Sequence, residues 1–395
     1  MDAEIEDEPF EQLEDDNESN QSDFHELDPN AVYESAYVKT HVHTSDAVVV
    51  AVSPDGAFVA TGGCDNKAYL FMLSRSYKLP AATFAADDTV DHISFSPDSK
   101  YVAFIAGEDL YVSNLHRGRP PQKFAYSNDY RFLVWYLIPD YYPSGAQNFL
   151  LTVAQSQRCI LSIEVGASLD VVKEIYVNSN APSALIYDEH KNVGVAAFED
   201  RTVTIFSVID FHIIASLDFP DSVVDIKAGL DGILCFALFD GRVNFCIPKD
   251  DTYKSVSQID YKRQEGPSSC CALGLAGSHK FLAVGSLSGN VEVYDLTMNR
   301  IRYAFSTNNT SVVSMMFNNT ATKLFISTYD GCIYVIDVKS GQRLDVLHSF
   351  GAIKTFDVAM KEVDDHLFAC AVNARGHLRY FVWPFADKVW KMPPD

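Results

Sequence analysis

A short grammar of turns recurs along this chain of 395 residues. The clearest unit occupies residues 43–73, HTSDAVVVAVSPDGAFVATGGCDNKAYLFML. Ala47–Val52 is an apolar run. Ser53-Pro54-Asp55-Gly56 then forms a turn, with Pro pre-setting φ and Gly free to take φ > 0. Residues 57–61 make a second run, 62–66 a second tight turn and 67–73 a third run. The unit reads as an antiparallel meander of three strands. The pattern returns over residues 89–113, 131–164, 183–207, 223–247, 271–296, 312–338 and 355–383. The third unit has a longer first turn, 139–146. Later second turns include Gly107-Glu108-Asp109, Phe198-Glu199-Asp200-Arg201, Phe239-Asp240-Gly241, Ser286-Leu287-Ser288-Gly289 and Thr328-Tyr329-Asp330-Gly331.

Second turns fall near 65, 109, 157, 200, 240, 288, 330 and 375, a mean spacing of about 44 residues. That period, with a fourth strand between units, as at 77–84 and 300–305, predicts an all-β propeller. Eight blades are expected over residues 31–388, or seven if the third or eighth unit is misread. An open ring would leave strand edges unpaired. The segment 35–40 is therefore expected to supply the outer strand of the last blade.

Charge adds a second constraint. The net charge is −22, from 53 Asp and Glu against 31 Lys and Arg. Residues 1–30 are dense in Asp and Glu, hold no Lys or Arg, and contain little apolar surface, which predicts a disordered acidic tail. An acidic surface repels phosphate backbones, so direct nucleic-acid binding is not expected; basic proteins are the matching partners. The N-terminus has no secretory h-region, and no apolar run approaches the ~20 residues that span a bilayer. A cytoplasmic or nuclear monomer, off the membrane, is expected.

The eight cysteines show no CxxC pair and no zinc spacing, and most sit in apolar runs. Reduced, buried thiols are expected. For vicinal Cys270 and Cys271, period-2 alternation predicts one side chain toward the core and one away. The same alternation puts His41 and His43 on one strand face. No GxSxG elbow, phosphate-cradling glycine loop or HExxH appears. The expectation is no enzyme, no metal and no cofactor.

The repeats resemble WD40 repeats. There, a His before the first strand, a Ser or Thr on the second and an Asp in the following turn form a buried chain with a Trp. Here His43, Thr61 and Asp65 match, with Phe71 in the Trp position. Elsewhere mainly the turn acid persists, at Asp200, Asp240 and Asp330, where the resemblance implies a structural role. Residues 60–69, ATGGCDNKAY, are similar to the first repeat of the angio-associated migratory cell protein family. Residues 282–296 and the turn at Thr328-Tyr329-Asp330-Gly331 are similar to later repeats; roughly 115–265 fits only as a generic propeller. This resemblance implies a chaperone for a basic ribosomal protein of the large subunit, the role of fungal members; animal members are tied to migration and signalling. In a propeller the loops before each first strand and after each second strand open on one face. Asp46, Asp87, Asp88, Glu108, Glu199 and Asp221 fall there and are candidate client contacts, with Phe239 and Tyr329 as stacking partners for client Arg. The alternative is a general scaffold for signalling, migration or ubiquitin ligation. The Trp-Asp-x-Arg motif of ligase receptors is absent: the matching segments read Tyr294-Asp295-Leu296-Thr297 and Ile336-Asp337-Val338-Lys339.

Overall fold

The computed structural model describes residues 36–384, apart from 73–79, 116–119, 127–128, 138–147, 179–180, 230, 250–251, 260–266, 349–353 and 364–365. The acidic segment 1–30 and the turn 139–146 lie outside the described residues. The described residues form eight four-stranded antiparallel sheets. Each is one blade. Blade 1 runs Ala47–Val52, Phe58–Gly63, Lys67–Met72 and Ala82–Ala85, as strands a to d from the axis outward. Its strand d covers only part of the run expected at 77–84, of which 77–79 are not described.

Strands a of blades 2 to 8 are Val90–Phe95, Tyr130–Leu137, Pro182–Asp188, Val223–Ala228, Ser268–Ala276, Val312–Phe317 and Thr355–Val363. Each packs on strand a of both neighbouring blades, including blade 8 on blade 1, so the ring is closed. The protein is an eight-bladed β-propeller. The N-terminal strand Ala36–His41 pairs antiparallel with His377–Pro384 and completes blade 8. The N- and C-terminal strands therefore share one sheet, which seals the edge that closure requires.

Eight apolar clusters hold the ring, one at each junction between blades. Strand b of blade 5 shows the logic. Leu234, Phe236 and Leu238 pack toward blade 4, while Cys235 and Ala237 pack toward blade 6. Both faces of a blade are interior, so the inner strands read as continuous apolar runs rather than alternating ones. The same fact corrects the expectation for the vicinal cysteines. Cys270 faces blade 7 and Cys271 faces blade 5, and both are buried. His41 and His43 do not share a face either. Val42 N and His43 N both donate to Gly376 O, so the ladder ends there; His41 is exposed and His43 is buried.

Every strand a also carries an irregularity near its start, as between Ala47 and Val49, Val223 and Asp225, and Thr355 and Asp357. Such bulges increase twist and re-aim side chains. They also bring the b–c turn under the residue that precedes strand a.

Candidate functional site

One hydrogen bond repeats in all eight blades. The first residue of the b–c turn donates its N–H to the carbonyl of the residue before strand a. The pairs are Cys64→Asp46, Gly107→Thr89, Gln155→Asp129, Glu199→Ala181, Phe239→Ser222, Leu287→Pro267, Tyr329→Ser311 and Ala374→Lys354, at 2.8–3.1 Å. Both sets of loops therefore meet on one rim of the ring. Asp46, Asp87, Asp88, Glu108, Glu199, Asp221, Phe239 and Tyr329 all lie in these loops.

The rim acids differ in how far they are already engaged. Asp87 meets Lys123 Nζ at 3.1 Å and accepts from Tyr111 Oη at 3.0 Å. Lys123 and Tyr111 hold the Asp87 carboxyl below its usual range. Lys123 reaches across to Asp109 as well, at 2.6 Å. Asp88 Oδ1 accepts from Thr89 N, and Asp221 Oδ1 from Ser222 N at 2.8 Å, both local backbone bonds. The side chains of Asp46, Glu108 and Glu199 have no hydrogen-bond or ion-pair partner among the described residues. Glu108 and Glu199 are exposed. Blades 1, 2 and 4 thus present carboxylates ready to accept a cation, whereas blade 3 opens its turn with Gln155 and pairs Asp129 with Arg131.

Blades 5 to 7 present a different surface. Phe239 is 48% and Leu287 47% exposed. Tyr329 is half-buried, edge-on to Phe356 at 6.4 Å, with Lys354 Nζ 5.8 Å from its ring centre. Tyr329 therefore already carries a cation on its ring. Leu287 was absent from the sequence-based candidates because a lone Leu in a turn carries no chemical signal.

The turn acids make local bonds of two kinds. Asp65 accepts from His43 Nδ1 at 2.8 Å and from Thr44 N at 3.1 Å; His43 Nε2 lies 2.9 Å from Thr61 Oγ1. Since a carboxylate only accepts, Nδ1 carries the proton and Nε2 accepts from the Thr61 hydroxyl. Burial lowers the His43 pKa by more than Asp65 raises it, so the ring is neutral. Phe71, in the Trp position, is buried in the apolar cluster between blades 8 and 1, and the ring packed edge-on against His43 is that of Tyr69, at 4.8 Å. Asp200 bonds Thr202 N and Oγ1, and Asp240 bonds Arg242 N and pairs with its guanidinium. Asp330 accepts from Thr328 Oγ1 at 2.6 Å and Thr310 Oγ1 at 3.3 Å.

Two further acids lie on the innermost strands. Asp225 Oδ2 accepts from Cys271 N at 2.9 Å, and Asp357 Oδ2 from Val50 N at 3.0 Å. Each is the first ladder residue after its bulge, and each reaches strand a of the next blade. Asp225 also holds Lys227 Nζ at 3.0 Å. Burial would lower the Lys227 pKa, but Asp225 beside it reverses this and holds it above the ordinary lysine value. Asp357 has no such cation among the described residues. Burial, opposed by the N–H groups of Val50 and Val358, pushes its carboxyl up to about 6.

Burial pushes the thiols of Cys159 and Cys332 up to about 11, and those of Cys246 and Cys270 to about 12, far from the thiolate a nucleophile needs. No group of three His, Cys, Asp or Glu side chains converges as a metal site among the described residues, and no described helix is long and apolar enough to cross a membrane.

Residues 35–71 match the model of the WD domain, G-beta repeat. That stretch is the closing strand with strands a to c of blade 1, which hold the His43–Thr61–Asp65 chain. No curated protein sequence matches the chain. Among solved structures, Sqt1 of Saccharomyces cerevisiae is similar with a TM-score of 0.72 and 15% identity, covering 87% of this chain and 98% of that one. Sqt1 of Chaetomium thermophilum, solved bound to the N-terminus of the ribosomal protein L10, gives a TM-score of 0.70 at 14% identity, covering 88% and 98%. The computationally designed protein Ika8 gives 0.66 at 14% identity, covering 87% and 98%. A natural protein bound to a ribosomal segment and a computationally designed protein align to similar extents, so these likenesses speak for the fold.

Proposed function

We propose that this propeller is a non-catalytic chaperone of the angio-associated migratory cell protein family, which holds a basic ribosomal protein of the large subunit before assembly. The observation that carries the reading is the row of unpartnered carboxylates on one rim. Asp46, Glu108 and Glu199 lie on the same side of a closed ring and are not neutralised by described cations. Asp87, Asp88 and Asp221 extend that row, and the net charge of −22 favours encounter with a polycation. A ribosomal protein without its RNA is such a polycation. The Chaetomium Sqt1 structure, with its bound ribosomal segment, supports the choice of client class. On this reading Asp65, Asp200, Asp240 and Asp330 are turn acids rather than contacts, and the protein acts as a monomer in the cytoplasm, with no direct nucleic-acid or membrane ligand.

The test is co-purification of the full chain from cytosol at low salt, with mass spectrometry of the bound proteins. A stoichiometric large-subunit ribosomal protein that is released by salt is expected. Recovery of no ribosomal protein under those conditions would overturn the reading.

A further inference from the structure

The rim is chemically divided, and the division says more about the client than its charge. The eight residues that open the b–c turns occupy one equivalent position, fixed by the repeated hydrogen bond. Around the ring that position holds Cys64, Gly107, Gln155, Glu199, Phe239, Leu287, Tyr329 and Ala374. Large apolar side chains occur in three successive blades and nowhere else in the set.

The turn itself does not require them. It closes through a residue at positive φ whatever stands first: Asn66 at 60°, Arg201 at 74°, Gly241 at 89°, Gly289 at 85° and Gly331 at 85°. Cys64, Glu199 and Ala374 open the same turn without an aromatic or leucine side chain. Phe239 and Leu287 therefore expose apolar surface that the fold gains nothing from.

The neighbouring charges are settled. Arg242 pairs with Asp240, and Asp330 is taken by two hydroxyls. Lys354 sits over Tyr329, so an arriving Arg would meet a like charge there. The expected stacking of client Arg on Tyr329 is thus disfavoured, and the arc of blades 5 to 7 suits apolar groups.

This arc is continuous with the acidic one. Ser222 Oγ donates to Glu199 O at 3.1 Å, and Ser222 O accepts from Phe239 N at 2.9 Å, so a single residue separates the last free carboxylate from the first exposed aromatic. Ser311 joins Leu287 and Tyr329 in the same way, through bonds of 2.6 and 2.9 Å.

We propose that Phe239, Leu287 and Tyr329 dock a bulky apolar side chain of the client segment whose basic residues lie over Glu108 and Glu199. The occupant is a basic segment carrying an aromatic or large aliphatic residue beside its Lys/Arg run. The inference rests on the chaperone reading, since it takes the basic segment from it.

Two short fluorescent Arg/Lys-rich peptides distinguish the cases, identical except for one Phe or Ala beside the basic run. Binding is followed by polarisation with the full chain at low salt. The Phe peptide is expected to bind roughly tenfold more tightly to the wild type, the yield of burying about half an aromatic side chain on each partner. Phe239→Ser with Leu287→Ser should erase that difference and leave the Ala peptide's affinity unchanged. Glu108→Lys with Glu199→Lys should weaken both peptides alike. Equal binding of the two peptides, still lost on charge reversal, would overturn the apolar arc and spare the chaperone reading. If neither peptide binds, the acidic rim fails and the arc with it. A self-associating wild type made monomeric by the Ser pair would assign the arc to a second copy and also overturn the proposal.

Discussion

Blade 1 and blade 7 share one backbone and differ in what ties their turns down. In blade 1, Asp65 reaches through His43 to Thr61, joining the leading loop, strand b and the b–c turn in one buried chain. In blade 7, Asp330 bonds Thr328, two residues before it, and touches Thr310 in the leading loop at 3.3 Å. Both blades keep the same turn-to-loop backbone bond and the same two-sided apolar packing. The ring therefore does not depend on the polar chain for its shape. That chain reinforces the blade that meets the closing seam, where strands from opposite ends of the sequence must stay together.

The largest effect should come from breaking the complete chain. His43→Ala leaves the Thr61 hydroxyl unpaired and Asp65 with only its bond from Thr44 N, and should cost about 2–4 kcal/mol in urea unfolding; Asp330→Ala should cost about 1 kcal/mol. Equal losses would remove the distinction between the blades. The chain should also respond to pH. The folded pKa of His43 lies below 6.5, so the unfolded chain binds more protons as pH falls through that value. Its share of stability is present above 6.5 and is lost progressively below it. His43→Ala should remove that part of the slope between pH 7.5 and 5.

A second pair sharpens the comparison. Asp225 and Asp357 make the same inter-blade bond, but among the described residues only Asp225 pairs with a lysine. Asp225→Asn removes the partner of the Lys227 ammonium, whose side chain is 40% exposed, and should destabilise by about 0.5–1 kcal/mol. Asp357 runs the other way. With a folded pKa near 6, it keeps a proton that the unfolded chain releases above about 4. Stability from this group falls as pH rises from 4 to 6 and stays reduced above, opposite in sign to His43. Asp357→Asn should flatten that slope; at pH 7.5 it removes a buried charge but keeps an acceptor for only one of Val50 N and Val358 N, so the net change should stay within about 1 kcal/mol. A marked destabilisation at pH 7.5 would mean that the carboxylate, rather than its oxygen, holds the seam.

The smallest effect on stability should come from the rim. Glu199→Lys should leave unfolding within about 0.5 kcal/mol of wild type. It should weaken a basic ligand several-fold, and more than Asp87→Lys, because Asp87 already shares Lys123 with Asp109. Equal weakening would show that Lys123 does not shield Asp87.

Much of this architecture is written locally and could be read in advance. A turn needs Pro, Gly or Asp at fixed offsets, so eight turns spaced by one blade reveal eight blades. His43, Thr61 and Asp65 form a recognisable set because each stands at a fixed place in the blade's local grammar: before strand a, on strand b and in the b–c turn. Other features depend on partners far away in sequence. Asp357 bonds a backbone N–H 307 residues distant, and a backbone group leaves no trace in residue identity. Cys270 and Cys271 are both buried because each face of their strand meets a different blade, a tertiary fact that alternation alone does not encode. The exposure of Leu287, and the diversion of Asp87 toward Lys123, also follow only once blades are set side by side.

At the centre of the account is a rim whose free carboxylates hold a basic protein. The most direct measurement is titration of the full chain with a purified basic protein of the large ribosomal subunit, across a salt series, for the wild type and for Glu108→Lys with Glu199→Lys. A one-to-one complex is predicted, with affinity that falls steeply as salt rises and a slope that flattens in the double variant. Binding that ignores both salt and the two substitutions would contradict the account.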